Sequence, residues 1–258
     1  MNNHKPIAII QTGHTYPQIR EHYGDFDDWI AQGLGLSLPV IKVDATDERP
    51  LPAPASLAGV VITGSHAMVT EAQPWMRQLA HWLFATLHST PQLPVLGLCF
   101  GHQLLAQALG GEVADNPLGM EMGTVPLRLT PAGYQDPLLG VMVGHPWAQV
   151  VHKQSVLTSP PGCTVLASNV HDACQAFRYG ERAWGVQFHP EFSADVMRAY
   201  LQALSGDSLS QQQSVKNEFG ENTRVSREGV LPQALAHVRK ILLAQKVKAL
   251  SLIHISEP

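Results

Sequence analysis

Short, continuous apolar runs alternate with segments of helical periodicity in the first half of the chain. Apolar runs of this length are typical of strands buried on both faces, and they predict strands at residues 7–11, 38–44 and 59–63. Apolar residues at helical spacing predict a helix over 74–88. Because strands and helices alternate, we expect a mostly parallel sheet that is covered by helices on both faces.

The start of the chain offers two further local signals. An acidic segment that begins with Asp25 predicts the start of another helix, with Asp25 as its cap. The stretch before Gly24 is rich in glycine, threonine, proline and tyrosine, and we expect it to be a loop.

The second half of the chain has a different pattern. Short strands separated by turns are predicted, and their spacing favours antiparallel pairing; they cover 124–129, 148–152, 164–168, 174–179 and 183–188. A helix over about 193–204 is expected to return to the sheet.

Three parts are therefore expected along the chain. Residues 1–204 form one domain. Residues 205–250 hold a polar connector and an amphipathic helix from Leu231 onward, which we expect to dock on the domain rather than on a partner. Residues 251–258 fit no element and resemble an appended, non-native tail.

The most informative stretch is 94–109, an apolar strand that runs through Cys99 directly into a helix. Gly97 and Gly101 lie two residues to either side of Cys99, which is the spacing of the strained strand-to-helix turn called a nucleophile elbow. Neighbouring backbone comes so close in this turn that a Cβ at either flanking position would clash. A thiol in the first turn of a helix is also favoured as a thiolate by unpaired N–H groups and by the helix dipole. The alternative is a buried cysteine that only fills space.

The composition of the chain argues against several classes of function. With 17 Lys+Arg against 21 Asp+Glu and no basic run, the chain offers no electrostatic support for binding nucleic acid or an anionic membrane, so small neutral or zwitterionic ligands fit better.

Three cysteines without CxxC spacing indicate neither a disulfide framework nor a thiolate metal site, and Cys163 and Cys174 are expected to be packing residues. The thirteen histidines form no HxxxH or HExxH pattern, so neither a metal nor a cofactor is expected. No signal-like or membrane-spanning segment is visible, which predicts a cytoplasmic protein.

A second candidate motif follows directly after the last predicted strand. His189 and Glu191 lie on either side of a rigid proline. An imidazole with a carboxylate two residues away is suited to act as a base with a fixed tautomer. Taken alone, the tripeptide is better explained as a turn with a surface glutamate.

Three motifs in this order resemble the class I (triad) glutamine amidotransferases: Ile62-Thr-Gly-Ser65, Gly97-Leu-Cys-Phe-Gly-His-Gln103 and Gly185-Val-Gln-Phe-His-Pro-Glu191. The similarity covers about residues 7–204 and is nearest to the glutaminase domain of GMP synthases. It implies an α/β fold with a flavodoxin-like, mostly parallel sheet, helices on both faces and an antiparallel strand extension.

The resemblance also implies a mechanism. Cys99 would attack the side-chain amide carbon of glutamine to give a γ-glutamyl thioester and ammonia. His189 would take and return protons while Glu191 orients its ring. The backbone N–H groups of Gly64 and Phe100 would form the oxyanion hole.

For the substrate, the resemblance implies a role for Gln103, which matches a family glutamine that helps to hold it. GMP synthases carry a Ser-His-x-Asp segment that reads the amino-acid group, and this chain has Val151-His152-Lys153-Gln154 there. His152 matches, but neutral Gln154 replaces the acid. Losing one charge-assisted hydrogen bond would weaken α-amino recognition by about 1.5–3 kcal/mol. A γ-glutamyl compound other than glutamine is therefore an alternative substrate.

The last expectation concerns the acceptor of the ammonia. GMP synthases continue into a domain with a glycine-rich phosphate loop, and no such loop follows residue 204 here. The leading prediction is a stand-alone glutaminase that acts alone or for a separate synthetase subunit. Two alternatives stay open. One is a γ-glutamyl amide hydrolase with the same triad. The other is a non-catalytic regulatory or partner-binding module, which the helix from Leu231 suggests and the complete triad opposes.

Overall fold

A computed structural model describes residues 5–35 and 39–205 of the chain. These residues form one eight-stranded sheet, two two-stranded sheets and six α-helices. The strands are β1 (Ile7–Gln11), β2 (Val40–Asp44), β3 (Gly59–Ile62), β4 (Val95–Leu98), β5 (Glu112–Asp115), β6 (Glu121–Pro126), β7 (Arg128–Leu129), β8 (Trp147–His152), β9 (Gln154–Thr158), β10 (Cys163–Ser168), β11 (Ala176–Tyr179) and β12 (Ala183–Val186). The helices are α1 (Pro17–Tyr23), α2 (Phe26–Leu34), α3 (Pro74–Ser89), α4 (Phe100–Ala108), α5 (Pro131–Gln135) and α6 (Ala194–Ser205).

The large sheet has the strand order β2-β1-β3-β4-β12-β11-β10-β7. Its first five strands run parallel, and the last three continue it with antiparallel pairing. The predicted mostly parallel sheet with an antiparallel extension is therefore confirmed. Two antiparallel ribbons, β5-β9 and β6-β8, lie outside this sheet.

Both faces of the inner parallel strands β1, β3, β4 and β12 are buried, so their side chains alternate between two buried layers, whereas the edge strand β2 is only partly buried. Helices α3 and α4 cover one face, and helix α2 contributes to the cover of the other. The first layer includes Ala8, Ile10, Val60, Ile62, Val95, Leu79, Leu83 and Leu104, and the second includes Ile7, Ile9, Val61, Leu96, Leu98, Ile30 and Leu34. This two-sided burial is the reason that the strand sequences read as continuous apolar runs.

Several predicted elements are confirmed closely. Strand β1 has the predicted bounds, and α3 extends the predicted helix by one residue. Asp25 is the N-cap of α2, and its backbone N–H donates to the carboxylate of Asp28 at 3.1 Å.

The expected loop before Gly24 was wrong, because it contains α1. This helix begins with Pro17, which is favourable at the first helical position, and only Ile19 is buried. A helix with one buried residue lacks the periodic apolar pattern that predicts helices.

The second half also needs corrections. The strand predicted at 124–129 is two strands, β6 and β7, and β5, β9 and α5 had no counterpart in the prediction. The strand predicted at 183–188 ends at Val186, and it pairs with parallel β4 as well as antiparallel β11. Its central position in the sheet explains why all four of its residues are buried.

The connector, amphipathic helix and tail predicted for 205–250 and 251–258 lie outside the described residues, apart from Ser205 at the end of α6. Within the described residues, no helix is long and apolar enough to cross a membrane.

Candidate active site

Cys99 lies in the predicted elbow between β4 and α4, with a backbone φ of 48° and ψ of −99°. A positive φ is unfavourable for a residue with a side chain, and such strain costs about 1–3 kcal/mol. The turn is so tight that a Cβ on Gly97 would lie 2.4 Å from the carbonyl oxygen of Gly101, and a Cβ on Gly101 would lie 2.7 Å from that of Ile62. The structure therefore confirms the strained backbone of Cys99 and the need for glycine on each side.

His189 and Glu191 follow β12 and are both buried. The imidazole Nδ1 lies 2.8 Å from Glu191 Oε1, so the carboxylate fixes the ring orientation. Phe192 stacks on the imidazole with ring centroids 4.1 Å apart. A Cβ on Gly64 would lie 3.0 Å from the imidazole Cε1, which shows that the loop after β3 reaches the same place.

The charges around His189 favour its protonated form. Burial is the largest single influence and lowers the pKa of the imidazole, but the nearby Glu191 carboxylate and Cys99 sulfur together raise it to about 10. A histidine with this pKa is an imidazolium at neutral pH, and an adjacent imidazolium stabilises a thiolate.

The peptide between Thr63 and Gly64 is held in one orientation. The carbonyl oxygen of Thr63 accepts hydrogen bonds from Gly101 N–H at 3.2 Å and from the Thr12 hydroxyl at 3.1 Å. In a trans peptide the N–H points away from the C=O, so these two bonds also fix the direction of the Gly64 N–H. The second predicted donor, Phe100 N–H, belongs to the first residue of α4 and therefore has no acceptor within that helix.

Gln103 is buried one turn into α4, and its amide nitrogen donates twice. One bond reaches the backbone oxygen of Gln154 at 2.7 Å, and the other reaches Oε1 of Gln187 at 3.0 Å. Gln187 in turn places its Nε2 3.5 Å from Cys99 Sγ. The sequence analysis missed Gln187, which is fully buried. Its signal in the sequence is a polar residue between the apolar residues Val186 and Phe188.

His152 points into the protein. Its Nε2 lies 2.9 Å from Glu121 Oε2, and its Nδ1 lies 3.0 Å from the backbone oxygen of Gln154. With both ring nitrogens engaged and a side chain that is 1% exposed, His152 supports the strand that carries Gln154. Its predicted contact with substrate stays a prediction.

The Gln154 side chain connects Thr70, in a short 3-10 helix, with the end of strand β5. Its Nε2 donates to Thr70 Oγ1 at 2.7 Å and to Asp115 Oδ1 at 3.0 Å. Asp115 also pairs with Lys153 at 2.9 Å, and the hydrogen bonds from Gln154 and then from Lys153 lower the pKa of its carboxyl group. The sequence analysis missed Asp115, which belongs to the unpredicted strand β5 and is paired in register with Gln154.

The remaining candidate chemistry is sparse. No group of three or more His, Cys, Asp or Glu side chains that could hold a metal occurs among residues 5–35 and 39–205. Cys163 and Cys174 are free thiols, and burial raises the pKa of the Cys174 thiol to about 12. A thiol with so high a pKa is a poor nucleophile.

Comparisons with known proteins show what the chain is similar to. The family model described as "Glutamine amidotransferase class-I" matches residues 21–204. One subunit of the glutamine-hydrolyzing GMP synthase of Halobacterium salinarum is 30% identical over 180 residues, which cover 69% of this chain and 89% of that protein. Gamma-glutamyl peptidase 5 of Arabidopsis thaliana is 27% identical over 244 residues, which cover 90% and 92%. The crystal structure of a glutamine amidotransferase from Methylobacillus flagellatus superposes with a TM-score of 0.69 at 25% identity and covers 93% of this chain and 95% of that one.

Proposed function

Because the chain belongs to the class I glutamine amidotransferase family, we propose that it is a glutaminase that cleaves a γ-glutamyl amide through a thioester on Cys99. The observation that carries the proposal is the arrangement of three groups around one sulfur. Cys99 lies on a strained elbow, His189 is hydrogen-bonded to Glu191 and interacts electrostatically with that sulfur, and the oriented Thr63–Gly64 peptide adjoins the imidazole.

In the first step, the Cys99 thiolate attacks the amide carbon and a C–S bond forms. The carbonyl oxygen becomes an oxyanion, which the N–H groups of Gly64 and Phe100 stabilise. The His189 imidazolium then gives its proton to the amide nitrogen, the C–N bond breaks, and ammonia leaves. The product on the protein is a γ-glutamyl thioester, and His189 is left neutral.

The second step hydrolyses the thioester. Neutral His189 takes a proton from a water molecule as that water attacks the thioester carbon. The same two N–H groups stabilise the second oxyanion. The C–S bond breaks, glutamate leaves, and the thiolate–imidazolium pair is restored. Glu191 keeps the imidazole oriented through both steps without giving up or taking a proton.

Recognition of the substrate is proposed to involve Gln103, Gln154 and Asp115. Both amide hydrogens of Gln103 are engaged, so its Oε1 is the atom that can accept a bond from an α-ammonium group. Asp115 carries a carboxylate 3.0 Å from the amide of Gln154. We propose that this carboxylate supplies the negative charge that neutral Gln154 lacks.

Two finer functions are compatible with the same chemistry. Hydrolysis of a γ-glutamyl amide or peptide is favoured by Gln154 and by the likeness to a gamma-glutamyl peptidase over nearly the whole of both chains. Delivery of ammonia to a separate synthetase subunit is favoured by the likeness to one subunit of a GMP synthase. A purely regulatory module is disfavoured, because such a module has no need for a strained cysteine beside a protonated histidine.

The test is to trap the thioester. Purified protein is mixed with glutamine and with a panel of γ-glutamyl amines and peptides, and its intact mass is measured at short times. We expect a γ-glutamyl adduct in the wild type and none in Cys99→Ala, whereas Cys163→Ala serves as the matched control and retains it. The proposal fails if no compound is turned over and Cys99 is alkylated no faster than Cys163.

A further inference from the structure

We infer that Gln187 is a positioning residue for the nucleophile, because its side-chain N–H donates to the Cys99 sulfur and stabilises the thiolate. The inference rests on the proposed role of Cys99, but its test reads the sulfur directly and needs no substrate. It adds a residue outside the Cys99, His189 and Glu191 set.

The fold brings the two residues together through strand register. Strands β4 and β12 are parallel neighbours in which Leu98 pairs with Val186, so the next residues along, Cys99 and Gln187, leave the sheet side by side. Cys99 N–H donates to the Val186 oxygen at 2.9 Å, and Gln187 N–H donates to the Gln175 oxygen at 2.8 Å. Both backbones are therefore fixed, and the side chain of Gln187 is fully buried.

A backbone carbonyl determines which way the Gln187 amide faces. The Gln154 carbonyl oxygen can only accept, so the Gln103 atom 2.7 Å away must be the amide nitrogen. The same nitrogen lies 3.0 Å from the Gln187 side chain, so the Gln187 atom there must be its oxygen. The remaining atom, 3.5 Å from Cys99 Sγ, is then the Gln187 nitrogen, which donates to the sulfur.

The Gln187 donor and the Val151 acceptor favour different protonation states of Cys99. The Val151 backbone oxygen, 3.6 Å from Sγ, can accept a hydrogen bond from the thiol and offers nothing to the thiolate. Gln187 N–H has the opposite preference, because a donor is favoured by negative charge on the sulfur. His189, held by Glu191, is the other group that favours the thiolate, through its positive charge.

Two other titratable groups interact electrostatically with the residues around this sulfur. The charges of Cys99 and Glu191 contribute to raising the pKa of Tyr200, and the charge of His189 contributes to lowering the pKa of His66. The side-chain hydrogen bonds of Gln187 go instead to Cys99 and Gln103. A substitution of Gln187 therefore changes a direct contact of the sulfur. The variants below leave His189 and Glu191 unchanged.

The test is the pH dependence of Cys99 alkylation by iodoacetamide, followed by intact mass. Gln187→Glu keeps the size of the side chain and replaces the donor with an oxygen that repels the thiolate. We expect the midpoint of the profile to rise by about 1 pH unit or more, which corresponds to an alkylation rate about tenfold lower at pH values well below the wild-type midpoint. Gln187→Met removes the donor without adding charge, so we expect a smaller rise in the same direction.

Gln175→Met is the matched control, because Gln175 is an equally buried glutamine that directly precedes the neighbouring strand β11, and its amide donates to Glu121 instead of to the sulfur. We expect its alkylation midpoint to equal that of the wild type. If Gln187→Glu does not fold, as judged by thermal unfolding, Gln187→Met decides. An unchanged midpoint in the Gln187 variants, or an equal rise in Gln175→Met, overturns the inference. A wild type that is alkylated with the expected profile but turns over no γ-glutamyl compound would instead contradict the proposed function.

Discussion

Replacing Glu191 by glutamine removes one negative charge beside His189 while it keeps an oxygen that can accept the imidazole Nδ1–H. The present bond is 2.8 Å long, and both side chains are buried. An opposite charge this close in a buried site typically shifts a pKa by about 1–3 units, which is about 1.4–4 kcal/mol. The imidazole pKa is about 10 with Glu191 present. We therefore expect it to fall to about 7–9 in Glu191→Gln.

The change also has a cost for the fold. Glu191 Oε2 is buried and has no hydrogen-bond partner within the described part of the chain, so an amide NH₂ in its place loses no bond but buries N–H groups without an acceptor, which costs about 1–3 kcal/mol. The lost charge pair adds a pH-dependent change in the free energy of unfolding. Because the folded pKa of His189 lies above its ordinary value of 6.5, that pair stabilises the fold fully below pH 6.5 and loses its effect as the pH rises through about 10.

The assay is the pH dependence of kcat/KM for a chromogenic γ-glutamyl anilide. The reactive form is the thiolate–imidazolium pair, so activity declines when the imidazolium loses its proton. We expect this alkaline decline to move to lower pH by about 1–3 units in Glu191→Gln. Glu181→Gln, which removes the same charge at an exposed position, is the control and should keep the wild-type profile. An alkaline decline that stays in place would show that Glu191 does not hold the proton on His189.

Three other predictions follow from single contacts. Gly101→Ala should lower the free energy of unfolding by about 1–3 kcal/mol in urea titrations, because the new Cβ would lie 2.7 Å from the Ile62 oxygen; an unchanged midpoint would refute the tight-turn argument. His102 is fully buried, and burial lowers its pKa to about 4, so the unfolded chain binds more protons between pH 4 and 6.5 and stability falls as the pH drops. We expect wild-type protein to lose on the order of 2 kcal/mol between pH 7 and 5 through this group, and His102→Leu to lose less; equal losses would contradict the assignment. Asp115→Asn should raise KM by about 10- to 150-fold for substrates with a free α-ammonium and leave N-acetylated analogues unaffected, and a second change, Gln154→Asp, should restore KM; equal effects on both substrate types would exclude the role.

Local sequence predicted those parts of the fold whose burial leaves a local pattern. Strands β1 and β3 are buried on both faces, and each is a run of apolar residues. Helix α1 buries only Ile19, so nothing in its sequence separates it from a loop. Strand β5 is four residues long and buries only Val113, which leaves no periodic pattern to be recognised.

The candidate site shows the same limit. The glycines around Cys99 are a local motif, and the tight turn could be expected from their spacing alone. The pairing of His189 with Glu191 was expected only from the family resemblance, because the tripeptide alone favoured a turn with a surface glutamate, whereas Glu191 is buried. The contacts of Gln187 and Asp115 depend on which strands become neighbours and in which register, and β12 and β5 pair with strands far away in the sequence. Register of this kind is set by the whole sheet, so a single stretch of sequence cannot reveal it.

The fixed Thr63–Gly64 peptide bears on how ammonia release is controlled. Two hydrogen bonds already hold its carbonyl, and one of the donors, Thr12, is buried within the same domain. If Gly64 N–H is the oxyanion donor proposed above, a partner protein would have no peptide to turn before chemistry can begin. On the proposed mechanism, the isolated chain should consume glutamine without waiting for an acceptor. A synthetase subunit would then govern where the ammonia travels, and the timing of its production would depend on glutamine supply.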